Sequence, residues 1–226
     1  MAQDYEALLK QILEAAAAYG SGQTCAPAAC APAPAGGLEP IPVGISNRHI
    51  HLSQTDLETL FGPGYELTKI KDLKQPGQIA CKETVTIVGP KGALEKIRVL
   101  GPVRKATQVE LLLGDSFKLG IKPPTRMSGD LAGTPGCTIV GPAGTVVLSE
   151  GCIVAQRHIH MTAAEAAAYG VTNGQIVSME FDGPRCGTLG NVAIRAGEGH
   201  ALECHVDTEE ANALAITSKT TFKLIK

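Results

Sequence analysis

The chain of 226 residues contains no tryptophan, and aromatic residues make up only 4% of it, which leaves the core to aliphatic side chains. Neither sign of charge dominates, with 20 Lys+Arg against 22 Asp+Glu. No sequence-wide basic field therefore points to nucleic acid or to an anionic membrane, and the expected partners are small molecules or protein. No Cys-x-x-Cys occurs, so a structural thiolate zinc site lacks its usual signature. The seven cysteines are odd in number and irregularly spaced, and no secretory signal precedes them, which favours a reducing cytoplasm over a disulfide framework. No apolar run approaches the roughly 20 residues that span a bilayer. Neither a Gly-x-x-x-x-Gly-Lys-Ser/Thr phosphate loop nor a Gly-x-Gly-x-x-Gly dinucleotide motif is present, so nucleotide hydrolysis and hydride transfer are unsupported.

What the chain does have is glycine (26) and proline (14), the composition of many short strands joined by tight turns. Residues 1–20 stand apart. Tyr5, Leu8, Leu9, Ile12, Leu13 and Ala16 recur at helical spacing opposite a polar face, which predicts an amphipathic helix. Residues 21–40, rich in Ala, Pro and Gly, read as a flexible linker. A helix on such a tether is expected to dock on an external protein rather than fold back onto its own domain. Its polar face carries more acid than base, which disfavours a membrane surface.

From Ile41 onward the text is β-rich. Ser53 is expected to cap a short helix through Leu57 and Leu60 that ends near Gly62. Thr84–Val88 and Leu94–Leu100 read as a hairpin around Gly89-Pro-Lys-Gly92, Gln108–Leu113 as a strand, and Asp115 as the cap of a helical turn. A shift of 109 positions carries His49 onto His158, His51 onto His160, Ser53 onto Thr162 and Asp56 onto Glu165. Ile176–Phe181 and Asn191–Arg195 then supply a second strand pair. Further on the shift falls to 95, as an extra segment between Gly62 and Gln78 of the first half requires, and pairs Glu110 with His205 and Asp115 with Glu210. The expected architecture is mainly β: two similar β-barrel units, 41–150 and 151–226, related by internal duplication and carrying short capping helices.

The repeat is centred on Arg48-His49-Ile50-His51 and Arg157-His158-Ile159-His160. In a strand the two histidines of each copy share a face, roughly 6.6 Å apart along the backbone, and can offer two imidazoles to one ion. A lone histidine is usually a hydrogen-bonded side chain; two duplicated His-x-His pairs are a different case. Each half offers a triplet, His49, His51 and Glu110 or His158, His160 and His205, and imidazole with carboxylate suits zinc. Two ions are expected, one site bearing a carboxylate and the other all imidazole. Arg104, and Ser128 in the Arg126–Asp130 loop, are candidates to cradle a phosphate or an oxyanion, the alternative being ordinary surface groups. The remaining cysteines are most economically small hydrophobes, Cys81 alone keeping a small claim to catalysis.

The Asn47-Arg-His-Ile-His51 and Gln156-Arg-His-Ile-His160 pair, the Thr-Ile-Val-Gly-Pro turns and the Arg126-Met-Ser-Gly-Asp130 loop resemble the PduL-type phosphate acyltransferases, the phosphate propanoyltransferases of bacterial microcompartments. The resemblance spans about Ile41 to Lys226. It implies two β-barrels and two zinc ions on the triplets named above, interconverting a short-chain acyl-CoA plus phosphate with acyl-phosphate plus coenzyme A. Arg104 would hold phosphate and Ser128 would sit beside it. Lys71 and Arg98, basic residues of the first half, are candidates for the phosphates of coenzyme A. Residues 1–20 look like an encapsulation helix for shell or lumen proteins, which implies the lumen of a cytoplasmic microcompartment, and a homo-oligomer is expected. A dinuclear metallohydrolase and a non-catalytic shell-associated protein are the alternatives. The acyl group is left open, since acetyl and propanoyl differ by one methylene, worth roughly 1 kcal/mol in an apolar pocket.

Overall fold

A computed structural model describes residues 40–226, together with Lys10, Glu14 and Leu38. Apart from Lys10, Glu14, Leu38 and Pro40, the expected N-terminal helix and linker therefore lie outside the described residues. Residues Leu38–Lys226 form one compact unit. It is mainly β, as expected, and the described residues contain fifteen strands: β1 (Val43–Ser46), β2 (His49–His51), β3 (Lys69–Asp72), β4 (Ile79–Gly89), β5 (Gly92–Gly101), β6 (Gln108–Glu110), β7 (Thr125–Arg126), β8 (Thr138–Val140), β9 (Thr145–Val147), β10 (Cys152–Ala155), β11 (His158–Met161), β12 (Ile176–Phe181), β13 (Gly187–Ala196), β14 (Glu203–Asp207) and β15 (Lys223–Ile225).

The strands form two sheets. One runs β7-β10-β6-β2-β5-β4-β8-β9, with β3 on β4, and the other runs β1-β14-β11-β13-β12-β15. Alternation along the strands makes each core. Val85 and Ile87 of β4 pack with Ile97 and Val99 of β5 in the first; Val177, Met179 and Phe181 of β12 pack with Val192 and Ile194 of β13 in the second. The strands do not sort by position in the chain. β1 pairs parallel with β14, Gly44 opposite His205, and β10 pairs parallel with β6, Ile153 opposite Glu110. Each half thus lends its opening strand to the sheet of the other.

The local signals hold where side chains act on their own backbone. Ser53 caps the helix Gln54–Phe61 by accepting from the Asp56 amide, Leu57 and Leu60 are buried, and Gly62 at φ 115° ends it. Thr162 and Glu165 form the full reciprocal cap of the helix Ala163–Tyr169. The β4–β5 hairpin turns through Gly89 and Gly92. Three expectations change. The strand from Gln108 stops at Glu110, and β13 begins at Gly187, earlier than expected. Asp115 opens the helix Asp115–Leu119 but does not cap it. Gly114 holds the cap position without a side-chain bond, while the buried Asp115 carboxylate accepts from the Leu112 amide and from Arg48.

Candidate active site

The sheet register assembles both triplets. On β2, Ile50 turns into the core and His49 and His51 turn the other way; on β11, Ile159 is likewise a core residue. Antiparallel β6 sets Glu110 opposite His49 and Gln108 opposite His51. Antiparallel β14 sets His205 opposite His158 and Glu203 opposite His160. On the other flank, parallel β5 places Arg98 beside His49 and parallel β13 places Ala193 beside His158. In each triplet one ligand atom per residue lies within 4.8 Å of the others. All six residues line a single cavity of about 470 Å³.

Both sets fit a cation. His49 Nε2 lies 3.3 Å from Glu110 Oε2, and His51 Nε2 lies 3.9 Å from Oε1. In the second set, His158 Nε2 and His160 Nε2 face each other at 3.0 Å. His49 and His158 each turn Nδ1 to a backbone oxygen two residues back, of Asn47 and Gln156, at 2.8 Å. Donation there leaves the Nε2 lone pair free for an ion, the device by which a metal-binding histidine has its tautomer set. His51 Nδ1 is buried without a hydrogen-bond partner.

The electrostatics largely favour unprotonated ligands. Burial, aided by the neighbouring His49 and Arg104, pushes His51 down to about 3. Burial and His205 push His158 down to about 4. His49 is the exception: burial lowers it, but its partner Glu110 outweighs that and raises it. Burial would raise the Glu110 carboxyl, but His49, His51 and Arg104 outweigh it and hold the group well below the usual carboxylate range.

Arg104 and Ser128, both expected at the site, meet there. The Arg104 guanidinium donates to Ser128 Oγ at 2.9 Å, and Gln108 Nε2 donates to the same oxygen at 2.8 Å and to Glu110 Oε1 at 2.6 Å. The Gly129 amide donates to Gln108 Oε1, which ties the loop carrying Ser128 to β6. Lys71 is exposed on β3 and does not line the cavity. Arg98 sits on the same strand as cavity-lining Leu100, but its guanidinium donates to the carbonyls of Cys81 and Lys82. Cys81 is fully buried and burial raises its thiol, which suits a hydrophobe rather than a nucleophile.

Sequence reasoning missed several residues. Arg195, opposite His160 on β13, lines the cavity, and its guanidinium has no hydrogen-bond or ion-pair partner among the described residues. Burial lowers both Arg104 and Arg195, partly offset by Glu110, yet arginine stays charged at any ordinary pH. His200 Nδ1 contacts His160 Nδ1 at 3.0 Å. Gln75, between β3 and β4, reaches Ala201 and Glu203. The arginines of the two motifs serve the scaffold instead. Arg48 pairs with Asp115 at 2.8 Å and Arg157 with Glu210 at 2.7 Å, anchoring each histidine strand to a following helix. The same shift that pairs Glu110 with His205 pairs those two acids, so a signal for them was present.

A sequence model of the family described as phosphate propanoyltransferase matches residues 42–217. The chain belongs to the phosphate propanoyltransferase family. It is 59% identical over 177 residues to a phosphate propanoyltransferase of Thermotoga maritima, covering 78% of this chain and 84% of the relative. It is 54% identical over 192 residues to that of Rhodopseudomonas palustris, covering 84% and 85%. For the phosphate propanoyltransferase of Salmonella typhimurium the figures are 51% over 175 residues, with 77% and 83% covered. The span that matches the phosphate propanoyltransferase family takes in both triplets, both arginines and Ser128.

Proposed function

We propose that this chain is a phosphate acyltransferase that interconverts a short-chain acyl-CoA, propanoyl-CoA or a near homologue, and phosphate with the acyl-phosphate and coenzyme A. The family supports the acyl transfer to phosphate. The observation that carries the reading is the meeting, in one cavity, of two metal-competent triplets with the guanidiniums of Arg104 and Arg195, so that with ions bound the positive charge would exceed that of the lining carboxylates Glu110, Glu203 and Asp207. Such a site is built for a polyanion. His49, His51 and Glu110 would hold one zinc ion, and His158, His160 and His205 a second. Bound there, zinc supplies Lewis acidity toward the thioester oxygen and a partner for a departing thiolate.

The residues of the chain do the rest. Arg104 and Arg195 bind phosphate and aim one of its oxygens at the thioester carbon, so that most of the gain is positional. Attack forms the C–O bond and a tetrahedral oxyanion; its collapse breaks the C–S bond and coenzyme A leaves as the thiolate. Ser128 Oγ accepts from both Arg104 and Gln108, which leaves its own proton to donate to a substrate oxygen. Both of those partners are donors, which suits the hydroxyl to donation rather than to attack, so direct transfer is favoured over an acyl-enzyme. Lys71, and Arg98 if released from its carbonyls, are the groups we assign to the phosphates of coenzyme A.

Two similar β-barrel units produced by duplication, over 41–150 and 151–226, account for the matching registers around the two histidine strands. Residues 1–20 act as a docking helix on the 21–40 linker, addressing the enzyme to shell or lumen proteins of a cytoplasmic bacterial microcompartment, and the enzyme works as a homo-oligomer. The decisive assay is thiol release from a series of acyl-CoAs with and without phosphate, before and after chelation and zinc return. Release that requires phosphate and yields acyl-phosphate is expected; phosphate-independent release would make the protein a metallohydrolase. Removal of residues 1–20 is expected to leave turnover intact and abolish co-assembly with shell proteins.

A further inference from the structure

The shift that carries Glu110 onto His205 also carries Gln108 onto Glu203, and the sheet bears this out: Gln108 lies opposite His51 and Glu203 opposite His160. The two sites have therefore exchanged types of residue. In the first, the carboxylate is at the ligand position and an amide stands two residues before it; in the second, an imidazole is at the ligand position and a carboxylate stands two residues before it. Each pair is bonded along its own strand, Gln108 Nε2 to Glu110 Oε1 at 2.6 Å and His205 Nε2 to Glu203 Oε2 at 2.8 Å. The second site is not simply all imidazole. One carboxylate serves each.

Glu203 is held in place. Gln75 Nε2 donates to its Oε2 at 3.2 Å and to the Ala201 carbonyl at 2.9 Å, while the Ala201 amide donates back to Gln75 Oε1. The extra segment of the first half thus clamps the start of β14. The orientation of the His205 ring follows from its neighbours. β14 runs between β1 and β11. A Cβ built on Gly44 of β1 would meet Glu203 Oε1 at 2.8 Å and His205 Cδ2 at 3.1 Å, so the Nε2–Cδ2 edge of the ring faces β1 and the carboxylate. Because β14 lies between β1 and β11, this leaves the opposite edge of the ring, with Nδ1, for the side of β11, whose His158 and His160 rings lie 5.0 and 4.9 Å from it between centroids.

We propose that Glu203 is a positioning residue of the second triplet: fixed by Gln75, it accepts the Nε2 proton of His205 and leaves Nδ1 as the nitrogen turned toward an ion shared with His158 and His160. This inference rests on the metal reading above. It gives His205 the opposite ligand nitrogen from His49 and His158, whose Nδ1 atoms are the ones engaged by the backbone. It also explains why Gly44 lacks a side chain, since any Cβ there would displace the carboxylate.

The test uses the full chain loaded with zinc. Wild type is expected to hold two ions and H49A only the second. In the H49A background, E203A is expected to release that ion at roughly 10- to 100-fold lower competing chelator, the usual cost of losing such a partner. E203D should recover part of the loss, and G44A, which crowds both the carboxylate and the His205 ring, should shift retention the same way. Nitrogen-15 spectra of histidine-labelled zinc-loaded protein should show the His205 proton on Nε2. Unchanged zinc retention in both H49A/E203A and H49A/G44A, or a proton on Nδ1 of His205, would overturn the proposal while leaving the metal reading intact. A wild-type chain that takes up no zinc overturns both.

Discussion

Arg104 is the side chain on which the proposed chemistry most depends. It is buried enough to be lowered from the ordinary arginine range, stands near Arg195 and Glu110, and donates to Ser128. Arg104→Ala is expected to reduce kcat/KM for phosphate by about 100- to 1000-fold, the scale of losing a transition-state donor. Arg104→Lys should restore only part of that, because an ammonium cannot make the two parallel bonds of a guanidinium. Steady-state kinetics in phosphate at saturating acyl-CoA measure both. Glu83 offers a test away from the site. Its burial would raise the carboxyl, but hydrogen bonds from its own backbone, the Thr68 amide and hydroxyl, and the Tyr65 hydroxyl outweigh that and lower it. A carboxyl that is lower in the folded than in the unfolded chain stabilises the fold above its unfolded value, and the contribution is lost as the pH falls through the folded one. Glu83→Gln should therefore cost more stability at pH 7 than at pH 3. Urea melts of both proteins in the presence of chelator, compared at the two pH values, give the difference.

At the level of elements, the site depends on short strands whose position is set by neighbours rather than by their own length. β2 and β6 have three residues each, and the Arg48–Asp115 pair ties the start of β2 to the helix Asp115–Leu119. That helix in turn leans on the β4–β5 hairpin. A Cβ on Gly89, at the hairpin turn, would run into the Leu119 carbonyl, a backbone atom that cannot rotate away. Gly89→Ala should therefore destabilise the protein by about 1–3 kcal/mol, the usual cost of overpacking. Because the displaced helix holds Asp115, zinc retention at the first triplet should fall with it. Chemical denaturation and metal analysis of the variant check both effects.

For the whole molecule, the exchange of β1 and β10 between sheets has a direct consequence. Residues 41–150 lack the β10 strand that pairs with β6, which carries Glu110, and residues 151–226 lack the β1 strand that pairs with β14, which carries His205. Expressed separately, each half leaves a ligand strand with an unpaired edge and exposed core residues such as Ile153 or Val43 without their partners. Neither half is expected to fold alone, whereas the two produced together should associate and recover thiol release. Circular dichroism of the separate and mixed fragments, followed by the activity assay, decides this. Two sheets that trade strands also share one cavity, which brings groups more than a hundred residues apart to the same substrate.

The sequence by itself determined both histidine pairs, the third member of each triplet that the structure brings together, the helix caps at Ser53 and Thr162, and the main hairpin. All of these follow from alternation, from a constant shift between like residues, or from a side chain acting on its own backbone within three or four positions. Tertiary structure alone decided the rest. Arg195, His200 and Glu203 carry no local pattern and matter only because β13, β14 and the loop between them fold against β11. Arg98 looked free in the sequence, but two carbonyls of the adjacent strand take up its guanidinium. Gln75 lies in a segment without regular pattern, and its contact with Ala201 joins the connection between β3 and β4 to the one that leads into β14. Pairing between strands distant in the chain is set by the burial of both cores together, and no single stretch of residues contains that information.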